Sequence, residues 1–165
     1  MVVLALETSC DETAVAVLTA PAGSRPTVVA EKISSQIKIH ADHGGVVPEL
    51  AAREHLRALP WMVEETLKEA QTSLDAVELL AVTRGPGLKG CPLIGCGFAK
   101  AIALTRSIPL IGVNHIEGHL LALLMANPEL DFPYLALVVA GGHTEIHIVR
   151  GVGVYELFYI SPGPP

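Results

Sequence analysis

The 165-residue chain has few aromatic residues, few cysteines and no excess of positive charge. Aromatic residues make up only 4% of a chain that is 50% hydrophobic, which predicts a core of Val, Leu, Ile and Ala. Three cysteines are an odd number, which argues against a disulfide framework and favours a reducing cytoplasm. A formal net charge of -6 argues against a free-standing nucleic-acid binder. It leaves open an RNA that other chains help to present.

Long hydrophobic runs are lacking as well. The longest run, HLLALLMA, is too short to span a bilayer, so we expect no membrane association. The first residues, MVVLALETSCDE, have no basic segment ahead of the apolar one. They are therefore not expected to be a signal peptide.

Hydrophobic periodicity predicts an α/β fold. Three strands are expected first, in VVLALET, at residues 14–19 and in TVVAEKISSQ, antiparallel because tight turns join them. HADHGGVVPE is predicted as a loop before a helix that begins near Pro48, and Pro60 should kink or split that helix. Strands near residues 79–83 and in PLIGV then alternate with two helices, which predicts parallel pairing. The buried side of the first helix is expected to contain Leu50, Leu56, Leu59, Val63 and Leu67.

A strand–turn–strand pattern in YLALVVAGGHTEIHIVRG repeats the pattern at the start of the chain. It predicts a first lobe at residues 1–130 and the beginning of a similar second lobe at residues 131–165, with a boundary near residues 127–133. The final YISPGPP is expected to be turn-like because of its prolines. The second lobe is too short to be complete, so we expect the chain to be truncated.

The stretch HIEGH places His115 and His119 four residues apart. In a helix this spacing puts both imidazoles on one face, where they could form either a pair of metal ligands or a capped or solvated pair. Zinc proteases of the H-E-x-x-H type have their general base directly after the first histidine. Glu117 comes one residue later, about 200° around the helix from His115. A peptidase would therefore lack its base.

Two histidines are fewer than the three protein ligands of an ordinary catalytic zinc site, so a third ligand must come from elsewhere. His143 and His147 share the same spacing, but the strand predicted there would separate them by about 13 Å. They cannot share one ion. The remaining histidines, His40, His43 and His55, are possible contributors of a third ligand, but loop or surface roles are expected for each.

Two polar turns are further candidates for ligand binding. In ETSCDET, the hydroxyl of Ser9 can hold a phosphate, and Asp11 and Glu12 can orient a cation or a water; an ordinary hairpin turn is the alternative. Cys10 beside two acids is not expected to be a reactive thiolate. In VVAGGHTE the two glycines permit either the close approach of a ligand or a plain turn. In a two-lobed fold both turns would face a cleft that suits a nucleotide phosphate chain.

The loop TRGPGLKGCP is rich in glycine and precedes a helix, but it lacks the G-K-[ST] ending of a P-loop. An anion at the helix start is one interpretation. Close packing of a small-residue helix on the sheet is the favoured one, with Cys91 and Cys96 as packing residues.

Five ordered segments together resemble one family closely, the TsaD-type tRNA threonylcarbamoyladenosine synthases, also known as glycoproteases or O-sialoglycoprotein endopeptidases. The segments are ALETSCDETAVAVL, HADHGGVVPELAAREH, AVTRGPGLKG, PLIGVNHIEGHLLA and FPYLALVVAGGHTEI, and they cover nearly all of residues 2–156. The resemblance implies an actin-like ATPase or sugar-kinase-like (ribonuclease H-like) lobe. This lobe is a mixed sheet flanked by helices, followed by the start of a second similar lobe.

The resemblance also implies an activity in the cytoplasm. The family transfers threonylcarbamoyl from threonylcarbamoyl-adenylate to the exocyclic amine of the adenosine beside the tRNA anticodon. It implies partners as well: a paralogous actin-like subunit, a small ATPase and, as a further form, a homodimer. His115 and His119 match the family's ligands for one divalent metal, iron or zinc. Its binding segment for the adenylate or an ATP-type nucleotide matches Val138, Val139, Ala140, Gly141 and Gly142.

The chain departs from the family pattern in two places. Ala140 stands where the family usually has serine, which removes one hydroxyl contact. After VYEL the chain continues FYISPGPP instead of a Gly/Thr-Asp-Asp-Ala stretch, and the Asp expected as third metal ligand belongs to a second lobe that is only begun. Two alternatives stay open: a metal-dependent glycoprotein endopeptidase and a non-catalytic nucleotide-binding partner subunit.

Overall fold

A computed structural model of the protein describes residues 1–127, 129–139 and 143–162. Its contacts divide the chain into two compact units, Met1–His115 and Ile116–Pro165, and each has a sheet of its own. The lobes predicted at residues 1–130 and 131–165 remain a prediction.

The first unit is built on a five-stranded mixed sheet with the order β3-β2-β1-β4-β5. The pairs β1–β2 and β2–β3 are antiparallel, and β1–β4 and β4–β5 are parallel, as predicted. Tight turns join the antiparallel strands, whereas a parallel strand requires a crossover connection, here a helix. The strands are β1 (Val2–Glu7), β2 (Glu12–Thr19), β3 (Thr27–Ser35), β4 (Leu79–Gly85) and β5 (Leu110–Asn114).

Three helices belong to this unit: α1 (Ile37–His40), α2 (Pro48–Glu69) and α3 (Cys91–Arg106). The stretch predicted as a loop before α2 is partly helical, since α1 and a short 3-10 turn at Ala41–His43 lie within it. Its chain reverses at Gly44, which has a φ of 69°, a conformation that glycine adopts without steric cost.

The core of the first unit lies between the sheet and the helices α2 and α3. Alternate strand residues such as Leu4 and Leu80 are fully buried there, in contact with α2 residues such as Leu59 and Met62. Their neighbours in the strands point to the other face and are partly exposed. Because successive side chains of a strand point to opposite faces of the sheet, every second strand residue reaches the core.

Helix α2 runs without interruption through Pro60, so the predicted split is wrong. Proline removes the bond to the carbonyl four residues earlier, which belongs to Leu56. Both Pro60 and Leu56 lie on the exposed side of the helix, where water can satisfy that carbonyl. Leu56 is 58% exposed, which also corrects its predicted place on the buried side. The buried residues of α2 are Ala51, His55, Ala58, Leu59, Met62, Val63, Thr66 and Leu67.

The second unit packs one helix on a three-stranded antiparallel sheet of order β6-β7-β8. Leu120 of the helix meets Tyr134, Ala136 and Val149 of the sheet in a small core, and the hydroxyl of Tyr134 donates to the carbonyl of Leu120 over 2.8 Å. The elements are α4 (His115–Ala126), β6 (Tyr134–Val139), β7 (His143–Gly151) and β8 (Val154–Pro162).

The turn predicted in YISPGPP is wrong for residues 159–162, which continue β8. Strand β8 pairs with β7 alone among the described strands, so one of its edges has no strand partner there. A proline at the end of such an edge strand removes a donor that the ladder does not need.

Candidate functional site

Three polar side chains meet where the parallel strands of the first unit end. Glu7 ends β1, Thr83 lies near the end of β4, and His115 follows β5 directly. The register pairs Leu6 with Val82 and Thr83 with Val113, so the carboxyl ends of the three strands lie side by side. Ligands of open α/β sheets bind at this edge.

Two side chains at the end of β1 and in the turn after it contact His115. Its Nδ1 lies 3.0 Å from Oγ of Ser9 and 3.4 Å from Oε2 of Glu7. The other carboxylate oxygen of Glu7 accepts a hydrogen bond from the backbone N–H of Ser9. Ser9 is only 2% exposed, whereas the side chains of His115 and Glu7 are 27% and 32% exposed, so the contact is partly buried. We call these three residues the Glu7–Ser9–His115 cluster.

The carboxylate of Glu7 is ionised in these surroundings. Burial raises its pKa, but hydrogen bonds from the side chains of His115, Ser9 and Thr83 and from the Ser9 backbone outweigh burial and lower the pKa to about 2. Glu7 is not among the site residues predicted from the sequence. The available signal was a carboxylate at the end of an otherwise apolar strand, VVLALE.

The turn after β1 is packed tightly against the start of α3. The Thr8 hydroxyl is fully buried and donates to the carbonyl of Cys91 over 2.9 Å. The backbone N–H of Leu88 donates to the carbonyl of Ser9 over 2.7 Å. Cys91 is buried and packs there, and Gly95 leaves room for Thr8. The packing interpretation of the glycine-rich loop is therefore confirmed.

Asp11 and Glu12 lie beside the cluster in sequence, but within the described part of the chain no hydrogen bond or ion pair joins their carboxylates to it. The Asp11 carbonyl accepts a hydrogen bond from the backbone N–H of Gln36 over 2.9 Å, and Glu12 opens β2 with an exposed side chain. Burial and the adjacent Asp11 raise the pKa of the Cys10 thiol to about 11. Cys10 is thus no activated nucleophile, as its neighbours predicted. The catalytic roles of Asp11 and Glu12 remain predictions.

A buried histidine fixes the other side of this turn. His55 of α2 is fully buried; its Nε2 lies 2.9 Å from the carbonyl of Cys10, and its Nδ1 lies 2.7 Å from Oγ1 of Thr13. The side-chain nitrogen of Gln36 lies 3.3 Å from Nδ1 of His55, and Oε1 of Gln36 lies 3.1 Å from Nε2 of His40. His40 is only 4% exposed. The surface or loop roles predicted for His40 and His55 are wrong. Apolar periodicity could not show that α2 turns an imidazole inward.

The helix predicted around HIEGH is present, with His115 at the start of α4 and His119 one turn later on the same helix. His119 is exposed. Within the second unit, the hydroxyl of Tyr155 donates to Oε1 of Glu117 over 2.6 Å. Burial and this carboxylate raise the pKa of Tyr155. The Glu117 carboxylate is thus already engaged by a tyrosine of β8, which is consistent with its exclusion as a peptidase base.

The strand predicted around His143 and His147 is present as β7. His147 is 9% exposed, and its Nε2 lies 2.7 Å from Oε2 of Glu145, two residues away on the same face. No helix of the described residues is both long and apolar enough to cross a membrane.

A family model described as TsaD, tRNA N6-adenosine threonylcarbamoyltransferase, matches residues 27–160. The chain belongs to this family. A protein of that name from Geobacter sp. (strain M21) is 51% identical over 156 residues, which are 94% of this chain and 44% of the relative. The protein of that name from Trichlorobacter lovleyi is 52% identical over 157 residues, 95% of this chain and 44% of its own length. The chain thus spans less than half the length of these TsaD relatives.

Solved structures agree on the fold of this TsaD-family chain. YeaZ from Pseudomonas aeruginosa superposes with a TM-score of 0.63 at 22% identity, over 99% of this chain and 68% of YeaZ. The Ppx-GppA enzyme of Aquifex aeolicus gives a TM-score of 0.54 at 11% identity, over 98% of this chain and 51% of that one. The predicted fold class, α/β of the actin-like and ribonuclease H-like type, is therefore confirmed.

The segment predicted to bind the nucleotide falls only partly within the described residues. Val138 and Val139 end β6, Val138 half-buried and Val139 72% exposed. Ala140, Gly141 and Gly142 lie outside the described residues. The ligand-binding roles of this segment and of Ser9 remain predictions.

The residues present fit part of the metal site that the family resemblance predicts. Imidazole nitrogen suits iron and zinc, and the Nδ1 atom of His115 is engaged by a hydroxyl and a carboxylate, as in many metal-bound histidines. Among residues 1–127, 129–139 and 143–162, no group of three or more His, Cys, Asp or Glu side chains is arranged to hold an ion. If His115 and His119 bind an ion, they would supply two ligands, fewer than a catalytic site needs.

Proposed function

We propose that this chain serves in the threonylcarbamoylation of tRNA in the cytoplasm. The supporting observation is the conjunction of the family match over residues 27–160 with the Glu7–Ser9–His115 cluster at the carboxyl edge of the sheet. His115 and His119 would hold one divalent ion, iron or zinc. Val138, Val139, Ala140, Gly141 and Gly142 would bind threonylcarbamoyl-adenylate or an ATP-type nucleotide.

The proposed reaction joins the adenosine amine to the carbamoyl carbon. A carbon–nitrogen bond forms, the bond from that carbon to the phosphate oxygen of the adenylate breaks, AMP leaves, and the amine loses a proton. The metal ion, when bound, would supply Lewis-acid stabilisation of the oxygens that become more negative. Asp11 would order the incoming amine or a water, with Glu12 beside it and the Ser9 hydroxyl near the phosphate.

The partners proposed with this function are tRNA, a paralogous actin-like subunit and a small ATPase. A second copy of the chain is a further proposed partner, because β6 exposes apolar side chains. Leu135, Leu137 and Val139 are 68%, 63% and 72% exposed. A net charge of -6 supports the need for other chains that present the RNA.

The test combines the chain with unmodified tRNA, threonylcarbamoyl-adenylate and the partner subunits, and measures the modified nucleoside by mass spectrometry. We expect product with the unchanged chain and a loss of at least about 100-fold with His115→Ala/His119→Ala, because metal-based charge stabilisation is removed. Glu64→Gln, an exposed change on α2, is the matched control. Unchanged transfer by the double variant would refute the metal role.

Two other outcomes decide between this proposal and its alternatives. If neither the unchanged chain nor its double variant adds to the transfer achieved by the partners, the non-catalytic subunit is favoured. Chelator-sensitive cleavage of a glycoprotein would favour the peptidase instead. The hydrogen bond from Tyr155 to Glu117 argues against that last result.

A further inference from the structure

We propose that Gln36 and His55 are positioning residues that hold the backbone on both sides of Asp11 and thereby set the direction of its side chain for the transfer reaction. The inference rests on the proposed function for what Asp11 does. It concerns side chains and backbone groups of the first unit alone.

The carbonyl groups of two successive residues in the turn after β1 are held by hydrogen bonds. The Cys10 carbonyl accepts from Nε2 of His55 over 2.9 Å, and the Asp11 carbonyl accepts from the backbone N–H of Gln36 over 2.9 Å. These carbonyls belong to the peptide planes before and after the Cα atom of Asp11. A residue has only two soft dihedral angles between its planes. Holding both planes therefore fixes φ and ψ of Asp11 and the direction of its Cα–Cβ bond.

The hydrogen bond to Cys10 also assigns the proton of His55. A carbonyl can only accept, so Nε2 of His55 carries the hydrogen, and Nδ1 of the neutral ring is an acceptor. The Thr13 hydroxyl donates to Nδ1 over 2.7 Å, and the side-chain nitrogen of Gln36 lies 3.3 Å from the same atom. That nitrogen also lies 3.4 Å from the carbonyl of Ala51, a second acceptor. Burial lowers the pKa of His55, which favours the neutral ring.

His40 requires the same orientation of the Gln36 amide. The backbone N–H of Val47 can only donate, and it reaches Nδ1 of His40 over 3.4 Å. The hydrogen of a neutral His40 therefore lies on Nε2, 3.1 Å from Oε1 of Gln36. With the amide turned around, its NH₂ group would face the N–H of His40, and its oxygen would face the Ala51 carbonyl. Both histidines thus use both ring nitrogens in one directed chain of hydrogen bonds, which leaves neither free to bind a metal ion.

This chain of hydrogen bonds lies inside the protein. The exposed fractions of His55, Gln36 and His40 are 0%, 2% and 4%. Buried polar side chains cost stability unless they are paired, and aliphatic side chains would fill the same space without that requirement. A network in which every group is paired instead selects a single arrangement of the groups that it joins. Positioning of Asp11 requires such a single arrangement.

The first arm of the test measures the tautomer of His55 without substrate. Long-range ¹H–¹⁵N correlation spectra of the histidine-labelled chain are recorded at pH 7.5. We expect the Nε2–H form of His55, and a dominant Nδ1–H form would overturn the proposal. This measurement uses the unchanged chain, so it does not depend on the folding of a variant.

The same arm measures the mobility of the turn by ¹⁵N relaxation. In His55→Leu the backbone order parameter of Asp11 should decrease from about 0.85 to below about 0.6, because one of its two peptide planes is released. Thr66→Val is the matched control, since Thr66 is fully buried in the same helix and donates to the carbonyl of Met62 over 2.7 Å. It should leave Asp11 rigid. A rigid Asp11 in His55→Leu would overturn the proposal; Gln36→Leu, which removes a partner of the imidazole, is measured alongside in case His55→Leu does not fold.

The second arm measures transfer with tRNA, threonylcarbamoyl-adenylate and the partner subunits. We expect His55→Leu to lower kcat by about 10-fold to 100-fold with little change in the KM for the adenylate, because a displaced Asp11 orients the amine poorly. His55→Gln, whose amide can still donate to the Cys10 carbonyl, should regain most of the rate, and Thr66→Val should retain it. Asp11→Asn/His55→Leu should lose no more than Asp11→Asn alone, since both changes act through one carboxylate. Additive losses would overturn the positioning role.

The two arms separate this inference from the proposed function. If the unchanged chain adds no transfer in the presence of its partners, the proposed function fails and the reaction role of Asp11 fails with it. The tautomer and the order parameters then still decide whether Gln36 and His55 hold Asp11. Dispersed amide spectra verify that each variant folds.

Discussion

Gly95 and Gly97 lie two residues apart in α3 and provide a direct test of how closely this helix packs on the sheet. A Cβ atom added at Gly95 would meet Oγ1 of Thr8 closer than real Cβ atoms approach, with Cγ2 of the same residue at 3.4 Å. A Cβ added at Gly97 would meet nothing within 4 Å. The two alanine substitutions therefore differ in packing and share their effect on the helix.

The expected magnitudes follow from three contributions. Replacing glycine by alanine inside a helix stabilises by about 1 kcal/mol at either position. At Gly95 the extra methyl overfills a buried contact, which costs about 1–3 kcal/mol. Moving the Thr8 hydroxyl aside also loses its 2.9 Å bond to the Cys91 carbonyl. A hydrogen bond of this kind contributes about 1 kcal/mol. Gly95→Ala should therefore destabilise by about 1–3 kcal/mol, whereas Gly97→Ala should stabilise by up to about 1 kcal/mol.

Urea unfolding measures both variants. Trp61, the single tryptophan of the chain, lies in α2 of the first unit and reports on that unit by fluorescence. Thr8→Ala removes the side chain that obstructs a methyl group at residue 95. In a Thr8→Ala background, Gly95→Ala should therefore lower the free energy of unfolding by less than it does in the unchanged chain. If Gly95→Ala and Gly97→Ala shift the free energy of unfolding equally, the close approach of α3 to Thr8 is wrong.

Three further outcomes test single residues. With its thiol pKa raised to about 11, Cys10 should react with iodoacetamide at pH 8 about 100-fold more slowly than a peptide thiol, by mass spectrometry, and a peptide-like rate would contradict this. Burial lowers the pKa of His55, so the unfolded chain binds the proton first, and stability should decrease as the pH falls below about 6.5. His55→Gln should weaken this decrease between pH 7.5 and 5.5 in urea midpoints, and an unchanged slope would count against it. Pro60→Ala should stabilise α2 by about 1–3 kcal/mol in the same assay, and no gain in the free energy of unfolding would contradict this.

Some residues of the candidate site could be predicted from the sequence and others could not. His115 and His119 could be found because a helical spacing of four is a local pattern, and the excluded base Glu117 followed from the same geometry. Glu7 escaped because a carboxylate at the end of a strand has no distinctive spacing. His55 was misjudged because apolar periodicity identifies a helix face but does not show that an imidazole on that face will find buried hydrogen-bond partners.

The sequence by itself determined most of the strands and helices, though not α1 or the end of β8, because side-chain periods of 2 and 3.6 can be recognised in neighbouring residues. It also determined the family, through five ordered segments. Only the tertiary structure decided that Glu7 and Ser9 meet His115, which lies 108 and 106 residues away from them in the chain. Those contacts depend on the pairing of β1 with β4 and of β4 with β5, and pairing over such separations results from the packing of the whole core rather than from any local pattern.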